Sequence, residues 1–131
     1  ITNTNGYLRG LSNQGAKGIY AQNGGYNRFV GNTITGVDGA TNTSGINLEV
    51  SGSSVIEGNQ IQGMPNPFSA QHITGIQLSF AQGVTIANNR LLRVYRGITY
   101  GNQATGKYSG NITDDLVQVP YTGGTPVGSN F

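Results

Sequence analysis

The acid–base chemistry open to this chain is narrow. His72 is the single histidine, and the five carboxylates are Asp38, Glu49, Glu57, Asp114 and Asp115. The absence of cysteine removes disulfides, thiolate metal sites and a cysteine nucleophile. One histidine and few acids do not make a metal site, and nothing in the sequence asks for a cofactor. His72 sits in the longest loop and can serve as a general acid or base, but no carboxylate stands near it in sequence to orient it. Asp114-Asp115 is the one adjacent acidic pair. Neighbours on a strand point to opposite faces, so the two do not readily share a substrate atom, and a solvated turn is the plainer reading. Arg90, Arg93 and Arg96 fall within seven residues. Guanidinium groups bind planar anions bidentately, so this cluster can hold an acidic sugar or a phosphate; equally, it can keep a sheet face from aggregating. No complete catalytic constellation is present, and catalytic residues stay unassigned.

A second group of residues points to binding instead of reaction. Tyr20, Asn47, Gln77 and Thr99 follow one another at intervals of 27, 30 and 22 residues, and Gln22, Glu49, Ser79 and Gly101 repeat the same intervals two places further on. Amides, hydroxyls and a tyrosine ring can hydrogen-bond sugar hydroxyls and stack on a sugar face. The candidate carbohydrate-binding set is therefore Tyr20, Asn47, Glu49, Gln77, Ser79 and Thr99, with His72, Arg93 and Arg96 from the adjoining loops. The competing reading is the ordinary solvated face of a solenoid.

Those intervals belong to an internal repeat. Gly18-Ile19, Gly45-Ile46, Gly75-Ile76 and Gly97-Ile98 each lead, fourteen residues after the Gly, to an Asn: Asn32, Asn59, Asn89 and Asn111. Counted from the Gly, offsets one, three, eleven, sixteen and nineteen are almost always apolar. The columns are Ile19, Ile46, Ile76 and Ile98; Ala21, Leu48, Leu78 and Tyr100; Phe29, Ile56, Ile86 and Tyr108; Ile34, Ile61, Leu91 and Thr113; and Val37, Met64, Val94 and Leu116. A fixed period of this length marks a repeat architecture. Within each copy the Gly-Ile-x-Leu alternation reads as a strand, and the Gly-Asn pair suits a tight corner, because both residues tolerate positive φ. Length changes fall between offset nineteen and the next Gly, which places loops on one face of a stack, beside the polar columns. Nothing reads as a helix. The expected fold is all-β: a right-handed parallel β-helix of about four to five coils with three short strands per coil. Residues 1–116 are expected to form the coils. Residues 117–131 are expected to leave the pattern and cap the stack, since Pro120 and Pro126 cannot donate ladder bonds.

This pattern resembles the pectate-lyase-like superfamily of right-handed β-helix proteins, which includes secreted polysaccharide lyases, hydrolases and epimerases as well as phage tailspikes and appendages. The resemblance runs through the coils of roughly residues 5–116. The stretches Ala104–Asn111 and Pro120–Thr125 look like the last coil of some bacterial and phage members. Asp114-Asp115 resembles the Asp-Asp element of the polygalacturonase group, whose Gly-His-Asp and Arg-x-Lys elements this chain lacks. The resemblance implies a module that recognises surface polysaccharide, the distal part of a tailspike or appendage in an extracellular or virion setting. A fragment of a polysaccharide-processing enzyme and a purely structural solenoid are the alternatives. It also implies a homo-oligomer such as a trimer, or further coils upstream, since family enzymes carry more coils.

Composition sets limits on partners. The 131 residues include 22 Gly but only 9% charged residues, and the net charge is +2. So small a charge does not by itself imply nucleic acid or a membrane surface. Tyr7, Tyr100 and Tyr108 read as core or rim residues, not as a base-stacking platform. No apolar run approaches the roughly 20 residues needed to cross a bilayer.

Overall fold

The computed structural model describes residues 5–9, 15–39, 41–65 and 72–131, the first of these segments as backbone. Their strands are β1 (Asn5–Arg9), β2 (Lys17–Gln22), β3 (Arg28–Val30), β4 (Thr33–Asp38), β5 (Thr43–Glu49), β6 (Val55–Glu57), β7 (Gln60–Gly63), β8 (Ile73–Ser79), β9 (Val84–Ala87), β10 (Arg90–Leu92), β11 (Arg96–Gly101), β12 (Gly106–Ser109), β13 (Ile112–Thr113), β14 (Val119–Thr122) and β15 (Thr125–Pro126). They form three five-stranded sheets, ordered β1-β4-β7-β10-β13, β2-β5-β8-β11-β14 and β3-β6-β9-β12-β15. We call these the first, second and third sheets. Each strand pairs in parallel with the one three places along the chain, so the backbone climbs as a parallel β-helix with three strands to a coil.

The aliphatic columns set the register. Ile19 pairs with Ile46, Ile46 with Ile76, and Ile76 with Ile98. Phe29, Ile56, Ile86 and Tyr108 stack the same way in the third sheet. Ile46, Leu48, Ile56, Ile61, Ile76, Leu78 and Ile86 are wholly buried. Burying one such side chain contributes about 1.5–3 kcal/mol, and a one-residue slip would turn every column outward. At the corner between the third and first sheets, Gly31, Gly58, Asn88 and Gly110 take φ of 65, 63, 56 and 62°. The next residues form a ladder of amides inside the wall. Asn32 Nδ2 donates to Asn59 Oδ1 at 2.8 Å, Asn59 to Asn89 at 2.9 Å, and Asn89 to Asn111 at 3.0 Å. The repeated Gly before each Ile answers a different need, close approach. A Cβ on Gly18 would lie 2.6 Å from Gly45 O and 2.9 Å from the Ile34 side chain.

Several details depart from the sequence reading. Leu116 is 59% exposed and Val117 is buried instead. A turn closed by Val117 N–H donating to Asp114 O carries Leu116 outward. Met64 is half-buried, because Gly63 takes the place beside Val37. Strand β1 joins the first sheet with Asn5 beside Thr33. The chain after Leu116 does not leave the pattern: Tyr121 stacks on Ile98 and Pro126 on Tyr108. Asn111 Nδ2 donates to Asn130 Oδ1 at 3.2 Å, adding a rung to the ladder. Prolines fit there because β14 and β15 are the outermost strands of their sheets. Val119 N–H donates to Tyr95 O, so the donor that Pro120 lacks falls on the open side.

Candidate functional site

On the outer face of the second sheet three columns run across the strands; alternation sets the second and third, and the inward-facing repeated Gly interrupts it after the first. One is Lys17, Ser44, Thr74 and Arg96. The next is Tyr20, Asn47, Gln77, Thr99 and Thr122. The third is Gln22, Glu49, Ser79 and Gly101. A cleft of about 500 Å³ lies over this face. Ser44, Asn47, Thr74, Gln77 and Thr99 line its floor. Asn42, Thr43 and His72, on the side of the variable corners, line it with Lys17, Glu49, Arg96 and Thr122.

Of the residues singled out from sequence, Asn47, Glu49, Gln77, Thr99, His72 and Arg96 line the cleft, and Tyr20, Ser79 and Arg93 do not. Ser79 Oγ instead accepts a bond from Asn102 Nδ2 at 3.3 Å. Tyr20 reaches the cleft through Glu49, whose Oε2 accepts its phenol at 2.8 Å. The arginines do not form one cluster. Arg90 lies on β10 of the first sheet, Arg93 occupies a left-handed corner at φ 53°, and Arg96 begins β11 of the second sheet, because the chain turns a corner between them. Both carboxylate oxygens of Asp114 accept the Arg93 N–H, at 3.1 and 3.0 Å. Half of the acidic pair therefore braces a backbone corner. Residues 66–71 of the longest loop lie outside the described residues. His72 is exposed at its end. Lys17, Ser44 and Thr74 were missed. No alternation marks them: they stand one place before each repeated Gly, where counting back from the inward Ile would turn them toward the core. Thr122 was missed because the stretch after Leu116 was not read as a coil.

Glu49 is the most connected side chain of the cleft. Its Oε1 accepts Asn47 Nδ2 at 3.3 Å and lies 3.7 Å from Lys17 Nζ. Lys17 Nζ also stands 4.2 Å over the Tyr20 ring. The Tyr20 phenol is held above its usual 10.0 by its hydrogen bond to Glu49, then by burial and the nearby negative charge. Ser44 Oγ, Asn47 Oδ1 and Thr99 Oγ1 are enclosed without a hydrogen-bond partner, and all three residues line this cleft. Among the described residues, no group of three or more His, Cys, Asp or Glu could hold a metal ion.

The family described as right handed beta helix region matches residues 4–127. The chain belongs to the right-handed β-helix family. That family assignment agrees with the three stacked parallel sheets and fixes the hand of the coil. No match was found among curated proteins or among solved structures.

Proposed function

We propose that the outer face of the second sheet binds polysaccharide without cleaving it, in an extracellular or virion setting. The observation that carries this reading is the gathering of Ser44 Oγ, Asn47 Oδ1 and Thr99 Oγ1, unpartnered, under one cleft. Folded proteins pair nearly all of their enclosed polar groups, and an ordinary solenoid face gives no reason to concentrate the exceptions. Two further features support it. The cleft volume of about 500 Å³ falls in the range of small-ligand sites, and its lining is mostly amide and hydroxyl, the groups that sugar hydroxyls pair with. Glu49 is the one carboxylate of the lining and is already engaged by Tyr20, Asn47 and Lys17. Glycoside hydrolysis by paired carboxylates uses two, so the lining favours binding over cleavage.

A glycan array tests the reading. Binding is expected to weaken about five- to tenfold in Gln77→Ala and in Thr99→Ala, as removal of a hydrogen-bonding group does. Affinity unchanged in both variants would remove the assignment. Incubation with acidic polysaccharides, followed by assay for unsaturated or reducing ends, distinguishes the enzyme alternative: new ends would make this a catalytic site.

A further inference from the structure

We infer that Glu49 and Lys17 are positioning residues, which clamp the Tyr20 ring as a preset platform for the apolar C–H face of a pyranose at the β2 end of the cleft. The inference rests on the polysaccharide reading and adds to it which residue stacks, which residues prepare it, and what kind of sugar surface it takes. Tyr20 lies on β2 at the outermost place of the described second sheet, facing away from the core and 45% exposed. A phenol so placed would ordinarily sample several rotamers. Here two contacts fix it. Its O–H donates to Glu49 Oε2 at 2.8 Å, one coil away, and Lys17 Nζ stands 4.2 Å over the ring. Lys17 is in turn 3.7 Å from Glu49 Oε1, so carboxylate, ammonium and phenol close a triangle. Asn47 Nδ2 donates to the same Oε1 at 3.3 Å, which ties the neighbouring floor amide to the clamp.

The geometry states what a ligand meets. The phenol proton is committed to Glu49 and Lys17 Nζ covers one face of the ring, so a ligand meets the opposite π face, whose partial negative charge attracts C–H edges. A pyranose with equatorial hydroxyls presents such C–H groups on its flat side. Its hydroxyls then reach the polar column of Asn47, Gln77 and Thr99, which runs from Tyr20 along the stack. Ordering a mobile side chain on binding costs affinity, and the clamp has already met that cost in the free protein.

The test combines ligand-free dynamics with a binding cycle. By NMR, the Tyr20 ring is expected to be rigid in the wild type and mobile in Glu49→Gln, with the phenol titrating nearer its usual value. Unchanged ring motion would overturn the clamp. Against a panel of soluble oligosaccharides that includes cellohexaose, a neutral probe with equatorial hydroxyls, the bound sugar is expected to shift the Tyr20 ring signals. Affinity is expected to fall about tenfold in Tyr20→Ala and about three- to tenfold in Glu49→Gln. Glu49→Gln should have no further effect in the Tyr20→Ala background. An additive double mutant would mean that Glu49 touches the sugar itself, which overturns its positioning role. Binding of charged glycans with no shift at Tyr20 would overturn the platform while leaving the polysaccharide reading standing. A wild type that binds no member of the panel would take down both. Thermal unfolding of each variant, expected to match the wild type, excludes loss of fold as the cause.

Discussion

Asn89 illustrates how much one side chain holds in this wall. Its Oδ1 accepts both Asn59 N–H and Asn59 Nδ2 at 2.9 Å, and its Nδ2 donates to Ile56 O, Ala87 O and Asn111 Oδ1 at 3.0 Å each. Asn89→Ala leaves several of these groups buried and unpaired, at about 1–3 kcal/mol for each one stranded. The expected loss is about 3 kcal/mol or more, read as a lower urea midpoint with an unchanged slope. Tyr100 gives a pH prediction. It is 7% exposed, and its O–H donates to Lys107 O at 3.0 Å. Burial, with a smaller contribution from Tyr108, pushes its phenol above the usual 10.0, and burial raises Tyr121 as well. The folded state thus holds these protons more tightly than the unfolded chain. The resulting stability is complete below pH 10.0 and is lost as pH rises from there toward the folded-state value. Melting temperature is expected to fall above about pH 10, and Tyr100→Phe to fall less steeply there while losing about 1 kcal/mol at neutral pH.

At the scale of elements, the two kinds of corner behave differently. The Gly-Asn corner keeps one length in every coil, because its amides must meet those above and below. The corner before the second sheet varies in length, giving the intervals of 27, 30 and 22 residues between successive Gly-Ile pairs. A Gly-Ser insertion before Thr41 is expected to cost under about 1 kcal/mol, since loop length is cheap. The same insertion between Gly58 and Asn59 breaks rungs on both sides and should cost several kcal/mol. Denaturant midpoints of the two variants check the contrast. This asymmetry also explains what the sequence disclosed. The columns headed by Ile19 and Phe29 were legible, because alternation within a strand and recurrence between coils point to the same residues. Leu116 was misjudged, because a turn interrupts the offset count just before Val117. Arg93 and Arg96 looked like partners, because nearness in sequence hides a change of sheet. The cleft floor was half legible: Asn47, Gln77 and Thr99 sit at a visible offset, whereas the orphaned Ser44 hydroxyl declares itself only in three dimensions.

Over the whole molecule, each coil touches chiefly its neighbours, so stability is distributed as in a one-dimensional stack. β8 is flanked by β5 and β11, with most of its residues buried, whereas β14 is half-buried to exposed and β15 is exposed. Amide hydrogen exchange in this 131-residue chain is expected to be slowest in β8 and progressively faster through β11 to β14. Uniform protection across these strands would mean that the stack opens only as a unit. The constant and variable corners have a further consequence for descent. Because the rungs at Asn32, Asn59, Asn89 and Asn111 hold the coils in register while the bends before the second sheet change length, a lineage can resculpt the rim of this trough one level at a time. New specificities become reachable without the scaffold having to be invented again.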